Sequence, residues 1–322
     1  MGSSPPTPAS RNPRHAERHT DEFMALSIHL GAHKTASTHL QYSLRLVDDR
    51  LAAAGLCYAD PALLRTAPLD LSQILSAGVG CPEEPAFRAA LQERRQGCAE
   101  LLISEENILG GTHRSRMFSR RGLLYPFAVR RLRQVLALAG ERQAELYLAI
   151  RDPAGFNVSA FSLQVLLGNE IELAPWLRGR DPARVDWLGL VRRLAAMPEV
   201  VRLVVWRYED YAALRPELLR RLLPEGLAPA VPEPPPSNEG LTQAGYDWFL
   251  RRAMVDTEAD LRQLAARARR RFRRADGHGP LRPLPAEDYA RSAESYAAQV
   301  AALRGLRKVE FLQPPAAVQI PA

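Results

Sequence analysis

Between Ile28 and Gln41 the chain sets a glycine, a lysine and three hydroxyls in close succession: Gly31, Lys34, Thr35, Ser37 and Thr38. An apolar run precedes them and helical spacing follows. Gly31 lets the backbone turn closely at the end of a strand. The first amides of the following helix have no internal partners and point outward. With the positive end of the helix dipole they form an anion site. Lys34 can reach over that anion, and Thr35, Ser37 and Thr38 can each donate a hydroxyl hydrogen bond. The spacing is not that of the ordinary nucleoside-triphosphate loop, G-x-x-x-x-G-K-[ST]. Of 43 cationic residues only Lys34 and Lys308 are lysine, so a compact point charge stands in this loop in a chain that elsewhere uses the arginine fork.

A second polar cluster is "IRDPAGFNVSAF", residues 150–161. Arg151 closes an apolar strand, and α/β proteins bind ligands at the carboxyl ends of strands. Asp152 suits a helix cap and Pro153 the first helical position. Ser159 falls about two turns into that helix. An Arg fork with a nearby hydroxyl grips a phosphate monoester well; pairing of Arg151 with Asp152 or another acid is the plain alternative. Two acids, Glu105 and Glu106, end the strand of "LLISEEN" (101–107).

The loop "HLGAHKTASTHLQ" resembles the 5′-phosphosulfate loop of the sulfotransferase superfamily in its bacterial form, roughly HxGxxKTGTTxLQ. The spacing from Arg151 to Ser159 is similar to that family's 3′-phosphate motif. "VVWRYEDYAA" (204–213) is similar to its strand-to-helix Arg-Tyr-Glu-Asp segment, where Tyr208 either contacts nucleotide or packs. "PPPSNEGLTQAGYDWFL" (234–250) resembles the linker before its last helices. The resemblance implies a transferase using 3′-phosphoadenosine 5′-phosphosulfate (PAPS) as co-substrate, with no metal. His33, Lys34, Thr35, Ala36, Ser37 and Thr38 would hold the 5′ end, and Arg151, Ser159 and Tyr208 the 3′ end. The family's glycine after Lys-Thr is Ala36 here, which is tolerable unless the site needs positive φ.

Sulfuryl transfer needs charge relief on the leaving oxygen and a base for the acceptor. Lys34 suits the first task. For the base, the candidates are Glu106, Glu105, His33, His39 and His113. The match to a family Ser-x-Glu-Asn segment favours Glu106, with Glu105 second. The acceptor itself is not legible; it could be a hydroxyl or amine on a sugar, lipid, phenol or peptide. A kinase or other P-loop enzyme using ATP and Mg²⁺, and a non-catalytic anion- or nucleic-acid-binding protein, are the rival readings. The first lacks the second loop glycine, and the second lacks any known nucleic-acid module.

Strands expected at 26–31, 56–60, 99–107, 144–153 and from 200 alternate with helices at 37–55, near 85–97, 125–140, after 153, 187–197 and 212–223. That alternation predicts an α/β, P-loop-like three-layer fold with a central, mainly parallel sheet. Residues 23–322 read as one such domain, with a Pro-rich connector at 224–240 and a helical C-terminal region at 241–322. Residues 1–22 read as a disordered tail. The tract 267–277, "RARRRFRRADG", is a solvated helix face or a basic patch for acceptor or nucleotide, and "RGLRKVEF" (304–311) is a candidate loop closing the cofactor site. A net charge of +7 points to anionic partners. Cys57, Cys81 and Cys98 lack metal or disulfide spacing. No stretch suits a membrane span, and a cytoplasmic setting is expected. Oligomeric state is left open.

Overall fold

The computed structural model describes residues 25–235, 239–256 and 258–315. The tail expected over 1–22 lies outside them, as do Pro236, Ser237 and Asn238 of the connector. Six strands form one wholly parallel sheet: β1 (Ala25–His29), β2 (Leu56–Ala59), β3 (Glu100–Ser104), β4 (Ala144–Ile150), β5 (Val200–Arg207) and β6 (Val309–Phe311), in the order β2-β3-β1-β4-β5-β6. Parallel neighbours need crossovers, and helices supply them. They are α1 (Ser37–Arg45), α2 (Asp48–Ala53), α3 (Leu71–Ala77), α4 (Glu84–Arg94), α5 (Arg114–Met117), α6 (Ala128–Ala139), α7 (Pro153–Leu166), α8 (Leu173–Leu177), α9 (Trp187–Ala195) and α10 (Tyr211–Leu222). The C-terminal region adds α11 (Gln243–Val255), α12 (Leu261–Arg271) and α13 (Ala286–Leu303).

Strand alternation sends each sheet residue to one of two faces. Ile28, Ile103, Leu146, Leu148 and Val205 pack beneath α4, α6, α7, α9 and the C-terminal helices. Tyr58, Leu102, Tyr147, Val204 and Trp206 pack beneath α1, α2 and α10. Leu40 and Leu44 stand one turn apart on α1 and are buried there; each such leucine contributes about 1.5–3 kcal/mol. That apolar pair fixes how α1, and the loop before it, sit over the end of β1.

The sheet order reverses at β1, whose neighbours are β3 and β4. Such a reversal opens a crevice at the carboxyl ends of the strands. Residues 30–36, 105–106, 151 and 208 all follow the carboxyl ends of these central strands.

Three expectations change. The helix read over 37–55 breaks at Leu46–Val47 into α1 and α2. The C-terminal region is not purely helical, because Val309–Phe311 pairs with β5 as an edge strand. Residues 309–311 therefore complete the sheet, and 304–308 lead into that strand rather than form a loop over the site. Lys308 ties this edge down, donating from Nζ to the carbonyls of Met197 and Val200 at 2.9 and 2.8 Å. Among the described residues no helix is long and apolar enough to cross a membrane, and Cys57, Cys81 and Cys98 are free thiols.

Candidate functional site

The loop after β1 has an unusual backbone. Gly31, Lys34 and Ala36 have φ of 39°, 68° and 63°. Left-handed residues at alternate positions, Lys34 and Ala36, are a backbone feature of anion nests. No amide of residues 34–38 has a hydrogen-bond partner among the described residues, while His39 and Leu40 resume helical bonding to the Ala36 carbonyl. Gly31 is required by close approach as well as by φ: a Cβ there would lie 2.3 Å from Ser37 Oγ. That Oγ is buried and lacks any hydrogen-bond partner, although buried hydroxyls are normally satisfied.

The other loop hydroxyls divide. Thr35 is buried and donates to the Ala32 carbonyl at 2.5 Å, so it holds the loop and is not free for an anion. Thr38 is exposed on the first turn of α1. Ala36 departs from its expectation: its φ is positive, where a Cβ costs roughly 1–2 kcal/mol.

Arg151 meets this loop directly. Its Nη1 donates to the Lys34 carbonyl at 2.7 Å. Its guanidinium lies 4.3 Å from the Tyr208 ring centroid, and Trp187 Nε1 donates to its backbone carbonyl at 2.7 Å. The Asp152 pairing does not occur. That carboxylate caps α7, accepting from the Gly155 amide at 2.9 Å and from Ser292 Oγ at 2.8 Å. A Cβ on Gly155 would lie 3.4 Å from Arg151 Nε, so the guanidinium crosses the first turn of α7. Ser159 is one turn farther along the same helix face, as i, i+4 spacing dictates. Tyr208 thus packs on Arg151.

Neither Lys34 nor Arg151 has a carboxylate partner among the described residues. Burial first, and the Arg151 charge second, push the Lys34 ammonium below its usual value, against the pull of Glu106. Burial also lowers Arg151, and Arg274 beyond α12 adds repulsion that the nearby acidic groups oppose. Two desolvated cations that repel each other are costly to hold together unless an anion joins them.

On the other side of the loop, the two acids have different roles. Glu105 is fully buried. It takes a bidentate pair from Arg65, at 2.9 and 2.8 Å, and accepts the Asn107 amide at 2.8 Å. Burial pushes its carboxyl up while the Arg65 fork opposes this; the two-pronged geometry keeps the pair ionic. Three hydrogen bonds, two of them from one Arg fork, hold Glu105 in place as a strut between Arg65 and the Asn107 amide. Glu106 accepts from Gln41 Nε2 and Arg65 Nη2, both at 3.0 Å. Burial works against its charge, but His33, Gln41 and Arg65 outweigh burial and hold the carboxyl below the usual glutamate value. His33 is itself pushed toward the neutral form by burial, so at neutral pH Gln41 and Arg65 carry this effect.

The histidine candidates are engaged. His33 is buried, with Nδ1 2.9 Å from Tyr125 Oη and Nε2 3.4 Å from Asn107 Oδ1. His39 ties α1 to Tyr211 Oη and the Pro234 carbonyl, both at 2.9 Å. His113 is exposed and caps α5, with Nδ1 2.7 Å from Ser115 Oγ.

Compared with family models, curated proteins and solved structures, the chain finds no match.

Several contributors had no readable role in the sequence. Gln41 and Arg65 orient Glu106, Tyr125 orients His33, and His29 underlies the loop. His29 is buried with Nδ1 2.7 Å from Ser104 Oγ, and it stacks on Trp206. Gln41 and His29 end the quoted motif at either side, which was their signal. Arg65 and Tyr125 have none, because each meets the loop from a distant segment.

Proposed function

We propose that the chain is a PAPS-dependent sulfotransferase whose β1–α1 turn works as a phosphosulfate loop. One observation carries this reading: Lys34 and Arg151 lie in contact, both desolvated and without a carboxylate partner, beside unpartnered amides and the orphan Ser37 hydroxyl. A ligand that carries two anionic groups satisfies both cations and the loop amides together. The amides of residues 34–38 and Ser37 suit the 5′ end of an adenosine bisphosphate, and Arg151 with Ser159 the 3′ end. Tyr208 backs the guanidinium.

In this reading the acceptor oxygen attacks sulfur as the bond from sulfur to the bridging oxygen breaks. Lys34 stabilises the charge that passes to the leaving 5′-phosphate oxygen. Glu106 takes the acceptor proton, being the ionised candidate that is not wholly tied up. PAPS supplies the activated sulfuryl group. The Mg²⁺-dependent alternative is weakened by Arg65, which occupies the acids that a metal would use. The protein is accordingly proposed to act in the cytoplasm on a small-molecule, glycan or lipid acceptor.

The test is a thermal-shift comparison of 3′-phosphoadenosine 5′-phosphate with ATP and AMP. The bisphosphate should raise the midpoint by several degrees, since ligand at about 100 times Kd adds about 2.7 kcal/mol. AMP and ATP should do far less, and Arg151→Ala should abolish the effect. Equal shifts with ATP and Mg²⁺ would favour a kinase instead. Sulfuryl transfer from labelled PAPS should persist in chelator.

A further inference from the structure

The arginine tract 267–274 is only partly absorbed by the site above. Arg274 adds electrostatic repulsion at Arg151, but Arg267, Arg270 and Arg271 line a separate cavity of about 600 Å³ between α11 and α12. Helical spacing builds it. Trp248, Arg252 and Val255 recur at i, i+4 and i+7 on α11, and Leu264, Arg267 and Arg271 at i, i+3 and i+7 on α12. Arg252 and Arg271 flank the Trp248 indole, at 5.8 and 6.0 Å from its ring centroid. None of the four arginines has a carboxylate partner among the described residues. The one acid in the wall, Asp256, accepts the Glu258 amide at 3.2 Å. Apolar surface lies beside the charge: Leu264 and Ala259 are part of the lining, and Met254 and Val255 at the end of α11 are 68% and 86% exposed.

We infer that this cavity is a second binding site, for an anionic amphiphile. The ligand class is an acyl or aryl body, packed on Trp248 and Leu264, that carries a phosphate, sulfate or carboxylate held by Arg252, Arg267, Arg270 and Arg271. A cavity of this size suits a small ligand or the end of a lipid. Charged hydrogen bonds from Arg forks beside an aromatic wall are stronger than those of freely solvated arginines. The site shares no residue with Lys34 or Arg151, so it stands whether or not PAPS is the co-substrate.

Tryptophan emission reads the cavity directly, because Trp176, Trp187 and Trp206 are buried and only Trp248 borders it. The full chain is titrated with octyl phosphate below its micellar concentration while acrylamide quenching is followed. Octyl phosphate should shield Trp248 and octyl glucoside should not. Arg267→Glu with Arg271→Glu should weaken binding about tenfold or more, as the loss of charged contacts demands. Arg151→Ala should bind unchanged. Vesicles of phosphatidylglycerol and phosphatidylcholine, set against phosphatidylcholine alone, distinguish the source. Shielding by both probes marks a lipid headgroup, and shielding by octyl phosphate alone a free ligand. Equal shielding by octyl glucoside, a signal that survives Trp248→Phe, or unchanged binding by the double arginine variant would overturn the inference. Binding to anionic vesicles without octyl phosphate binding would do so too, because it would make the surface a charge patch and not a pocket.

Discussion

Glu105 and Glu106 are chain neighbours with opposite commitments, and the difference can be measured. Glu105→Gln weakens an ion pair whose carboxylate is buried but whose Arg65 partner reaches solvent, which costs about 1.5–3 kcal/mol, while the reacting groups stay in place. On the proposed function, Glu106→Gln should slow turnover roughly 10²- to 10⁴-fold, as loss of a base does, while lowering the urea midpoint less than Glu105→Gln. If Glu105→Gln proved the slower enzyme at equal stability, the roles would be reversed. His29 supplies a second test at this scale. Burial holds its imidazole down, at about 4 against an ordinary 6.5, with Glu106 opposing. The unfolded chain therefore binds the proton first as pH falls. The stability contributed by neutral His29 is complete above pH 6.5 and is lost as pH falls from 6.5 to 4. A shift of that size corresponds to about 3 kcal/mol. Urea midpoints measured across that range should fall in the parent chain and fall less steeply in His29→Gln. His33, also lowered by burial, adds to the parent's slope with the same sign.

The turn from β1 into α1 is where a single methyl decides most. Gly31→Ala would drive a Cβ into Ser37 Oγ at 2.3 Å, on a backbone with positive φ. Moving the first turn of α1 should cost about 1–3 kcal/mol and abolish nucleotide-induced stabilisation, both read from melting with and without the bisphosphate. Ala36→Gly should act the other way. Relief of the left-handed strain at φ 63° outweighs the added flexibility of glycine, for a gain of about 0.5–1 kcal/mol. A loss of stability in that variant would mean that the Ala36 methyl is packed and not strained. The expected tolerance of alanine here came from reading the residue as the start of a helix. Its φ is set by the anion nest, and one residue type does not reveal that.

At the scale of the molecule, the sheet edge needs its last strand. Leu203 donates to the Lys308 carbonyl and Leu312 to the Val205 carbonyl, each at 2.8 Å, and Leu312 is buried with Trp206 and Leu219. A chain ended after Arg307 should lose about 3–5 kcal/mol from Leu312 burial and the lost hydrogen bonds. It should also aggregate through the bared edge of β5, seen as a lower melting midpoint and as oligomers by light scattering. A truncated chain with parent-like melting would remove β6 from the fold's support. The parallel α/β plan was legible because its signals are local. Apolar runs such as Leu146–Ile150 and helical stripes such as that of α6 need only neighbours in the chain to be read. Strand β6 was not legible, since three residues among basic neighbours carry no period and gain their partner a hundred positions away. The same division runs through the site. Residue type and spacing set out an anion loop at Lys34 and a second cation at Arg151. Long-range contacts decided that Arg65 pairs with Glu105, that Pro234 and Tyr211 engage His39, and that Arg151 touches the Lys34 carbonyl. A side chain's chemistry belongs to its own atoms, but its freedom to act depends on which partners the folded chain brings within hydrogen-bond reach.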